Sequence, residues 1–468
     1  MPAPGWELSA SGWDLSHSGW RGPQLAGDGS KTGQNGAAPV SGGGGGRRRR
    51  GVRALALLAV ALGLACTAPP ISGPLPHEAY LWQRQWTPAV REAVGESNLA
   101  GLVVLAAEVD LSRLPPRVSR AGYDAAALRG TGRPVGLAIR IGSFSRGGGR
   151  FRAEPGQIGF LAGLAREVVS EARERGIAPA ELQLDYDCPE SRLDEYPALV
   201  RAVREAVAPV PVVLTALPTW LRHERALRDL LDAADGWVLQ VHSFEPPAGP
   251  DAPIVLCDPV AARRWVEEAA RLGRPFRVAL PTYGYVAAFD ARGKLLGLSA
   301  EGPALSWPAG VRLRTARSDP AAMAGLVREW TRERPRELAG ILWYRLPSAG
   351  DRLNWARPTF QAVLAGRTPR SGLRAERRAP EPGLVEIELR NDGEADAPWP
   401  PSLRIRWSAG ELLAADGLAG YRMRRHGPLE IDLERGPSGD PLRPGERRTV
   451  AWLRFASPTE VSLEVSPR

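Results

Sequence analysis

The sequence predicts an α/β protein, a (β/α)8 barrel of the TIM type followed by a small C-terminal all-β sandwich of the immunoglobulin-like kind. In residues 78–366, apolar runs typical of strands alternate eight times with amphipathic helical stretches. A Pro- and Arg-rich linker is predicted at 367–382, and short strands of alternating polarity follow in 383–468. An open doubly wound sheet is the alternative, but it normally stops at five or six strands, and no Gly-rich phosphate loop follows the first strand.

The overall charge does not indicate a nucleic-acid-binding protein. The chain has 468 residues, 43% of them hydrophobic, which is long enough for two or three domains. Its formal net charge is +9, but +4 of this lies in residues 1–53. The remaining charges are dispersed without a basic face, so no nucleic-acid partner is predicted.

The N-terminal part predicts export. Residues 1–50 form a low-complexity leader, either disordered or upstream of a mis-called start. Residues 51–66 are predicted to be a signal peptide, because a run of arginines precedes the apolar segment Ala54–Ala65. That segment is too short for the roughly 20 residues of a membrane-spanning helix. Residues 67–77 are then a linker to the barrel.

Cys66 is predicted to carry a lipid anchor. Small residues before this lone cysteine resemble a bacterial lipoprotein box, although Gly63 and Leu64 depart from its usual pattern. The predicted location is therefore the periplasm or cell envelope, with membrane attachment through Cys66. The alternative is plain signal cleavage, which leaves Cys66 free or removed.

The other two cysteines, Cys188 and Cys257, leave the question of a disulfide open. In an oxidising compartment they could pair, but their separation in sequence says nothing about geometry. A zinc site needs more ligands at closer spacing than these two residues offer. No cofactor and no metal are predicted.

The barrel elements are read from the apolar runs in order. The eight predicted strands are 79–86, 101–109, 134–142, 181–187, 210–217, 236–244, 275–285 and 340–347. The first predicted helix has Thr87 as N-cap and Pro88 at its first position. Later helices are predicted at 155–175, 191–207, up to 234, at 259–272 and at 354–365. A β-hairpin at 285–302 interrupts the alternation.

The C-terminal region reads as short alternating strands. The segment "GLVEIELRNDGEADAPWPPSLRIRW" gives two strands around an Asn-Asp-Gly turn. The segments "LEIDLERG", "LRPGERRTVAWLRF" and "EVSLEV" continue the pattern. The sandwich is interpreted as an accessory binding or spacer module.

Polar side chains gather at the predicted strand ends, where the chemistry of such barrels takes place. Because side chains alternate along a strand, Gln183, Asp185 and Asp187 share the face predicted to point into the barrel. The predicted substrate-binding residues are Glu108, Arg140, Gln240, His242, Tyr283, Tyr285 and Trp343. Aromatic faces stack on sugar rings and polar groups bind hydroxyls, so this ring of residues indicates a carbohydrate partner.

Hydrolysis of a glycosidic bond usually takes a pair of carboxyl groups, and Asp185, Asp187 and Glu190 are the catalytic candidates. Two carboxylates on one strand face repel each other, so one of them could keep a proton and act as general acid. The structural alternatives are an ion pair between Arg140 and Asp185 and a turn capped by Asp187. Ser191 is expected to cap the next helix.

Two family resemblances follow from these segments. "LQLDYD", "RLDEY", "VVLTALPTWL", "GWVLQVHSF" and "RVALPTYGY" are similar to a bacterial family catalogued as domain of unknown function 3142. More distantly, the barrel resembles the chitinase-type glycoside hydrolases of family eighteen. Asp185 and Asp187 match the aspartates of that family's Asp-x-Asp-x-Glu signature on strand four.

The chitinase-type resemblance extends to other strand ends. Pro281, Tyr283 and Gly284 match that family's strand-seven tip, and Trp343 is the match on strand eight. The position of the catalytic glutamate holds Pro189 instead, and Glu190 comes one residue late. The resemblance implies a sugar-binding barrel, but the departure puts hydrolysis in doubt.

The sequence therefore predicts an exported barrel that binds or hydrolyses carbohydrate. The alternative is a non-catalytic envelope lipoprotein that binds a glycan or a partner, which the missing signature glutamate favours. A metal-dependent esterase or deacetylase is a third interpretation, but the five histidines form no convincing cluster with aspartates.

Overall fold

The structure of the protein is a computed structural model. The structure describes residues 69–96, 98–112, 115–142, 153–242, 247, 249–299, 307–436 and 439–466. The predicted leader, signal peptide and lipidation site at Cys66 lie outside these residues. In the described part of the chain, no helix combines the length and the apolar character needed to cross a membrane.

Eight parallel strands close into a barrel, so the predicted fold class is confirmed. They are β1 (His77–Leu81), β2 (Gly101–Asp110), β4 (Val135–Gly142), β5 (Pro179–Tyr186), β6 (Val212–Ala216), β7 (Gly236–Gln240), β8 (Phe276–Pro281) and β12 (Leu338–Tyr344). Strand β1 pairs with both β12 and β2, which closes the ring. A short strand, β3 (Arg117–Arg120), adds antiparallel to the end of β2. It is mostly polar and only four residues long, so the hydrophobic pattern gave no sign of it.

The helices surround the barrel. They are α1 (Pro88–Glu96), α2 (Ala125–Gly130), α3 (Pro155–Glu174), α4 (Tyr196–Val207), α5 (Glu224–Ala233), α6 (Pro259–Ala270), α7 (Pro320–Arg332) and α8 (Arg357–Leu364). The predicted start of α1 is found, with the Val90 amide 3.4 Å from the Thr87 hydroxyl. Helix α3 ends as predicted before Gly176, whose φ of 75° suits glycine.

The predicted cap at Ser191 is wrong. Residues Glu190–Glu195 form a 3-10 helix, and α4 begins only at Tyr196, without a side-chain cap. The reason is Pro197, because proline lacks a backbone N–H and is tolerated in the first turn of an α-helix but not in its interior. An α-helix running from Ser191 would place Pro197 in that interior.

A three-stranded antiparallel sheet is inserted between β8 and α7. It consists of β9 (Gly284–Phe289), β10 (Leu295–Ser299) and β11 (Arg312–Arg317), in the order β10–β9–β11. The predicted hairpin corresponds to β9 and β10. Strand β11 was not predicted, because its sequence RLRTAR is mostly polar and partly exposed.

The barrel has two apolar layers. The first fills the space between the strands and the helices and includes Leu182, Leu184 and Tyr186 of β5. The second lies inside the barrel and includes Val103, Ala138, Val213, Val238 and Leu342 from different strands. The barrel is therefore filled by side chains, as small eight-stranded barrels are.

A polar layer lies below this inner apolar layer. The Arg277 guanidinium of β8 bonds to both oxygens of Glu181 on β5, at 2.8 Å each, and to Glu78 on β1. Gln183 donates to Glu181 at 2.5 Å and accepts from the Tyr80 hydroxyl at 2.7 Å. These contacts cross the barrel interior and confirm that Gln183 points inward.

The C-terminal region is a sandwich of two four-stranded sheets. The first has the order β13–β14–β19–β16, with β13 (Leu373–Glu381), β14 (Leu384–Asn391), β16 (Leu412–Gly417) and β19 (Arg447–Phe455). The second has the order β17–β18–β15–β20, with β15 (Ser402–Trp407), β17 (Tyr421–Gly427), β18 (Glu430–Arg435) and β20 (Val461–Val465). Strand β13 lies in the stretch predicted as a linker, because its side chains are mostly exposed and charged.

The sandwich contacts the barrel rim after β12. Arg443 donates to the backbone oxygens of Asp351 and Asn354, at 3.0 and 2.8 Å. Arg352 in turn lies 3.0 Å from Glu446 of the sandwich.

The question of a disulfide is also answered, since Cys188 and Cys257 are both free and buried.

Candidate active site at the barrel mouth

Strand β5 carries the central carboxyl groups. Its residues Leu182, Leu184 and Tyr186 are buried against the helices, so Asp185 projects to the inner side. Arg140 on β4 is paired in register with Asp185. The predicted arrangement of these two residues side by side at neighbouring strand ends is therefore present.

Asp185 is held by two neighbours. Its carboxylate accepts a hydrogen bond from the Thr215 hydroxyl of β6 at 3.0 Å, and an oxygen lies 4.0 Å from Nε of Arg140. Burial raises the pKa of Asp185, and the positive charge of Arg140 and the Thr215 bond oppose this rise. Burial lowers the pKa of Arg140, but the negative charges of Asp185, Asp187 and Glu108 outweigh this effect, so the pKa is raised above the ordinary value and Arg140 stays protonated.

Asp187 is the exposed member of the pair. Although its side chain reaches solvent, the protein around it removes water from part of its surroundings, and this desolvation raises its pKa. The negative charge of Asp185 raises it further, and Arg140 lowers it, which gives a pKa of about 6. No turn capped by the Asp187 carboxylate is seen among the described residues, since the Cys188 amide bonds instead to the Tyr186 carbonyl. Asp187 is thus an accessible carboxyl group that holds a proton at mildly acidic pH.

An aromatic cluster lies inside the mouth. His242 stacks on Tyr344 with ring centroids 5.5 Å apart, and Tyr283 lies edge-on to both. The Tyr283 hydroxyl is 2.8 Å from that of Tyr285 and 3.3 Å from Nδ1 of His242. The predicted residues His242, Tyr283 and Tyr285 are therefore brought together, but all are buried.

Two ring nitrogens in this cluster have no hydrogen-bond partner among the described residues. They are Nε2 of His242 and Nε1 of Trp82, and both rings contact Tyr344. Burial lowers the pKa of His242 to about 3, so the imidazole is neutral at physiological pH. A neutral imidazole and an indole N–H, both packed against Tyr344, offer hydrogen-bonding groups without adding charge.

Glu108 and Gln240 lie at the ends of their strands. Glu108 is buried and bonded by Arg84, with one contact at 2.8 Å, so its carboxylate is occupied by an ion pair. It is also paired in register with Arg140 across β2 and β4. Gln240 ends β7 half-buried. Both residues border the mouth, and Glu108 contributes negative charge next to Asp185.

Trp343 is not part of the site, which corrects the prediction. Its ring is fully buried in the layer between strands and helices, where it packs against Phe360 and Trp355. Its Nε1 donates to Nδ1 of His77 at 3.0 Å. Since side chains alternate along β12, the next residue, Tyr344, is the one that faces the mouth.

Glu190 is held elsewhere by ion pairs. Its carboxylate lies 2.7 Å from Nε2 of His223 and 3.1 Å from Arg222. Both partners stand in the segment between β6 and α5. Burial alone would raise the pKa of Glu190, but hydrogen bonds from His223 and Thr219 and the charge of Arg222 outweigh it, so the pKa is lowered. An ionised carboxylate held in this way is a poor proton donor.

No metal centre is formed by the described side chains, which contain no group of three or more potential ligands. A cavity of about 300 Å³ lies outside the barrel, between the β2–β3 hairpin and α3. Its lining includes Arg120, Tyr123, Glu171 and Arg175, none of which was predicted as a site residue.

Two regions of the chain match families of unknown function. Residues 132–349, from just before β4 to just after β12, match a family described as Domain of unknown function (DUF3142). This confirms the first resemblance stated from the sequence. Residues 374–456 of the sandwich match a second family, Domain of unknown function (DUF8456). Among curated proteins, none matches the chain.

Solved structures with a similar fold include two spore cortex-lytic enzymes and several chitinases. SleL of Bacillus megaterium QM B1551 is 13% identical with a TM-score of 0.45, over 64% of this chain and 75% of that one. SleL of Bacillus cereus is 12% identical with a TM-score of 0.45, over 63% and 75%. A chitinase of Chromobacterium violaceum ATCC 12472 is 14% identical with a TM-score of 0.40, over 62% and 98%.

Proposed function

We propose that the barrel mouth binds carbohydrate and hydrolyses a glycosidic bond, with Asp187 as the general acid. The observation that carries this proposal is the exposed Asp187 carboxyl, whose pKa is raised to about 6 next to Asp185. A general acid needs a pKa near the working pH, and a glycosidase acid needs a second carboxylate close by. Asp185, held by Thr215 and Arg140, supplies that second charge.

The reaction uses one proton from the protein. Asp187 donates it to the leaving oxygen as the bond between that oxygen and the anomeric carbon breaks. Water then adds to the anomeric carbon, and a proton from this water restores Asp187. The Asp185 carboxylate stabilises the positive charge that develops on the sugar ring in the transition state.

A non-catalytic carbohydrate-binding role is the second candidate. It is supported by Glu190, which is bound to Arg222 and His223 and so cannot take the place of the signature glutamate. In this case Asp187 and Asp185 bind hydroxyl groups without proton transfer.

Turnover separates the two candidates. The full chain is incubated with a panel of soluble and insoluble glycans, and released reducing ends are measured. For a hydrolase, Asp187→Asn lowers turnover about 100-fold or more while binding and folding are retained. Glycan binding with no turnover by the unmodified protein would establish the non-catalytic role. Asp229→Asn, on the barrel helix α5, is the matched control and keeps full turnover.

The proposed location is the cell envelope, with Cys66 as a lipid anchor. Support comes from the sequence alone, in the run of arginines, the apolar segment before Cys66 and the Pro-rich stretch after it. Expressed in bacteria, the protein takes up a radiolabelled fatty acid, and this labelling is sensitive to globomycin. It disappears in Cys66→Ala. Labelling that persists in this variant refutes Cys66 as the site.

A further inference from the structure

We infer that the outer face of the sheet β13–β14–β19–β16 binds a neutral polysaccharide chain through Trp452. This surface belongs to the sandwich and is separate from the barrel mouth. The inference therefore does not depend on whether the barrel hydrolyses glycans.

Trp452 stands on the water-facing side of β19. Its neighbours Ala451 and Leu453 are buried in the sandwich core, so the indole projects to the opposite side. The register places Trp452 opposite Glu386 of β14 and Asp416 of β16. Arg378 of β13 is paired in turn with Glu386.

These four residues form a straight row across the sheet, Arg378–Glu386–Trp452–Asp416. Adjacent strands lie about 4.8 Å apart, so the row extends over roughly 14 Å. A single indole at the inner position of the row is thus flanked on both sides by carboxylates. An extended sugar chain can lie along such a row with one ring on the indole and its neighbours over the polar groups.

The indole of Trp452 has no partner within the described residues. Its side chain is half-buried, and it forms no hydrogen bond, ring contact or cation–π contact with any residue that the structure describes. Trp399, in the same sandwich and also half-buried, is different. The Arg435 guanidinium lies 4.5 Å from its ring centroid, and its Nε1 donates to the Asp440 carbonyl at 2.6 Å. The sandwich thus provides a hydrogen-bond acceptor and a cation–π partner for Trp399, whereas Trp452 has neither among the described residues.

The charges around Trp452 favour a neutral ligand. The row carries two carboxylates and one guanidinium, so a polyanion would meet net negative charge. Carboxylates accept hydrogen bonds from hydroxyl groups, and the face of an indole packs against the C–H surface of a sugar ring. Arg378 is already paired with Glu388 at 2.9 Å and with Glu386 at 3.8 Å, which keeps the polar groups in place.

Retention on polysaccharides tests this inference. The parent protein is the full chain carrying Asp187→Asn, which removes the proposed general acid and so prevents digestion of the matrix. It is run through gels that contain cellulose derivatives, xylan, mannan or glycol chitin. At least one of these polymers is expected to retard the protein. Trp452→Ala is expected to weaken that binding about tenfold, and Trp452→Tyr to restore part of it.

The controls keep the result decisive. Trp399→Phe, which keeps an aromatic ring at the partnered position, is expected to bind like its parent. Asp416 is exposed, so Asp416→Ala leaves the core of the sandwich intact. If Trp452→Ala failed to fold, weaker polysaccharide binding by Asp416→Ala would confirm that this row of residues is the binding site. Retardation by none of the polymers, or equal retardation of the Trp452 and Asp416 variants and their parent, overturns the inference. Turnover by the unmodified chain is scored separately, so a failure of the barrel proposal does not affect this outcome.

Discussion

Arg140 and Asp185 face each other across neighbouring barrel strands, with Nε of Arg140 4.0 Å from a carboxylate oxygen of Asp185. Both side chains are largely buried, at 18% and 15% exposure. Among the charges that act on Arg140, that of Asp185 raises its pKa the most, so removing Asp185 weakens the stabilisation of a cation in a poorly solvated place. The pair therefore has a structural role whatever its role in chemistry.

This relationship predicts a measurable coupling. We expect Asp185→Asn to lower the free energy of unfolding by about 3 kcal/mol, because it removes the carboxylate that does most to stabilise the buried charge of Arg140. The double variant Arg140→Gln and Asp185→Asn is expected to lose about 1–2 kcal/mol less than the sum of the single variants. Denaturant unfolding of all four proteins measures this. Additive losses would mean that the two groups do not interact.

The pH dependence of hydrolysis follows from the pKa of Asp187. A general acid acts in its protonated form, so kcat/KM falls as pH rises above about 6, tenfold for each further pH unit. In Asp187→Asn this descending limb is absent from the residual activity. Initial rates between pH 4 and 9 on a cleaved glycan measure both profiles. If the decline of kcat/KM above pH 6 persists in Asp187→Asn, another group is the general acid.

Stability also depends on pH through Asp187. Its pKa in the folded protein lies above that of the unfolded chain, so the folded state binds the proton more tightly. The contribution to stability is complete below pH 3.8 and is lost as pH rises through about 6. Asp187→Asn therefore gains stability relative to the unmodified chain between pH 4 and 7, as thermal unfolding at several pH values would show. A constant difference would contradict the raised pKa.

Glu190 is expected to be dispensable for turnover. Its bonds to His223 and Arg222 are partly exposed, and such pairs contribute about 0–1 kcal/mol. Glu190→Gln therefore keeps full turnover and nearly unchanged stability. The measurement is turnover on any glycan that the unmodified protein cleaves, with Glu224→Gln, an exposed neighbour on α5, as control. A hundredfold loss specific to Glu190→Gln would return this residue to the catalytic candidates.

Arg443 is expected to hold the sandwich on the barrel. Its replacement by alanine leaves the carbonyls of Asp351 and Asn354 without their donor, at a cost of about 1–3 kcal/mol. We expect a lower unfolding temperature and faster proteolysis between the two domains. Within the described part of the chain, the one hydrogen bond of the Arg448 side chain is to the neighbouring Arg447 carbonyl at 3.5 Å, so Arg448→Ala is expected to change neither. Equal behaviour of both variants would mean that the Arg443 contacts do not stabilise the interface.

The barrel strands could be predicted because buried parallel strands leave long apolar runs. Alternation along β5 also predicted which side of the strand carries Gln183 and Asp185. The choice between Trp343 and Tyr344 failed for a related reason. Two adjacent aromatic residues point to opposite sides of a strand, and an apolar run does not say which of them faces the barrel interior.

Contacts between distant residues could not be predicted. Glu190 is bound by Arg222 and His223, more than thirty residues later in the chain, and nothing in the local pattern indicates this pairing. Strands β3, β11 and β13 were missed because they are short or largely exposed, so their sequences lack the apolar alternation of core strands. Where burial is small, the sequence carries little information about local structure.

The polar layer beneath the mouth has a further consequence for evolution and engineering. Arg277 joins Glu181 on β5 to Glu78 on β1, and neither strand is a neighbour of β8 in the sheet. These ion pairs connect β5 to β1 and β8 across the barrel interior. They help to fix the orientation of β5, and with it the direction in which Asp185 and Asp187 point. A substitution at Arg277 is therefore expected to alter the positions of Asp185 and Asp187 without replacing a residue of the barrel mouth.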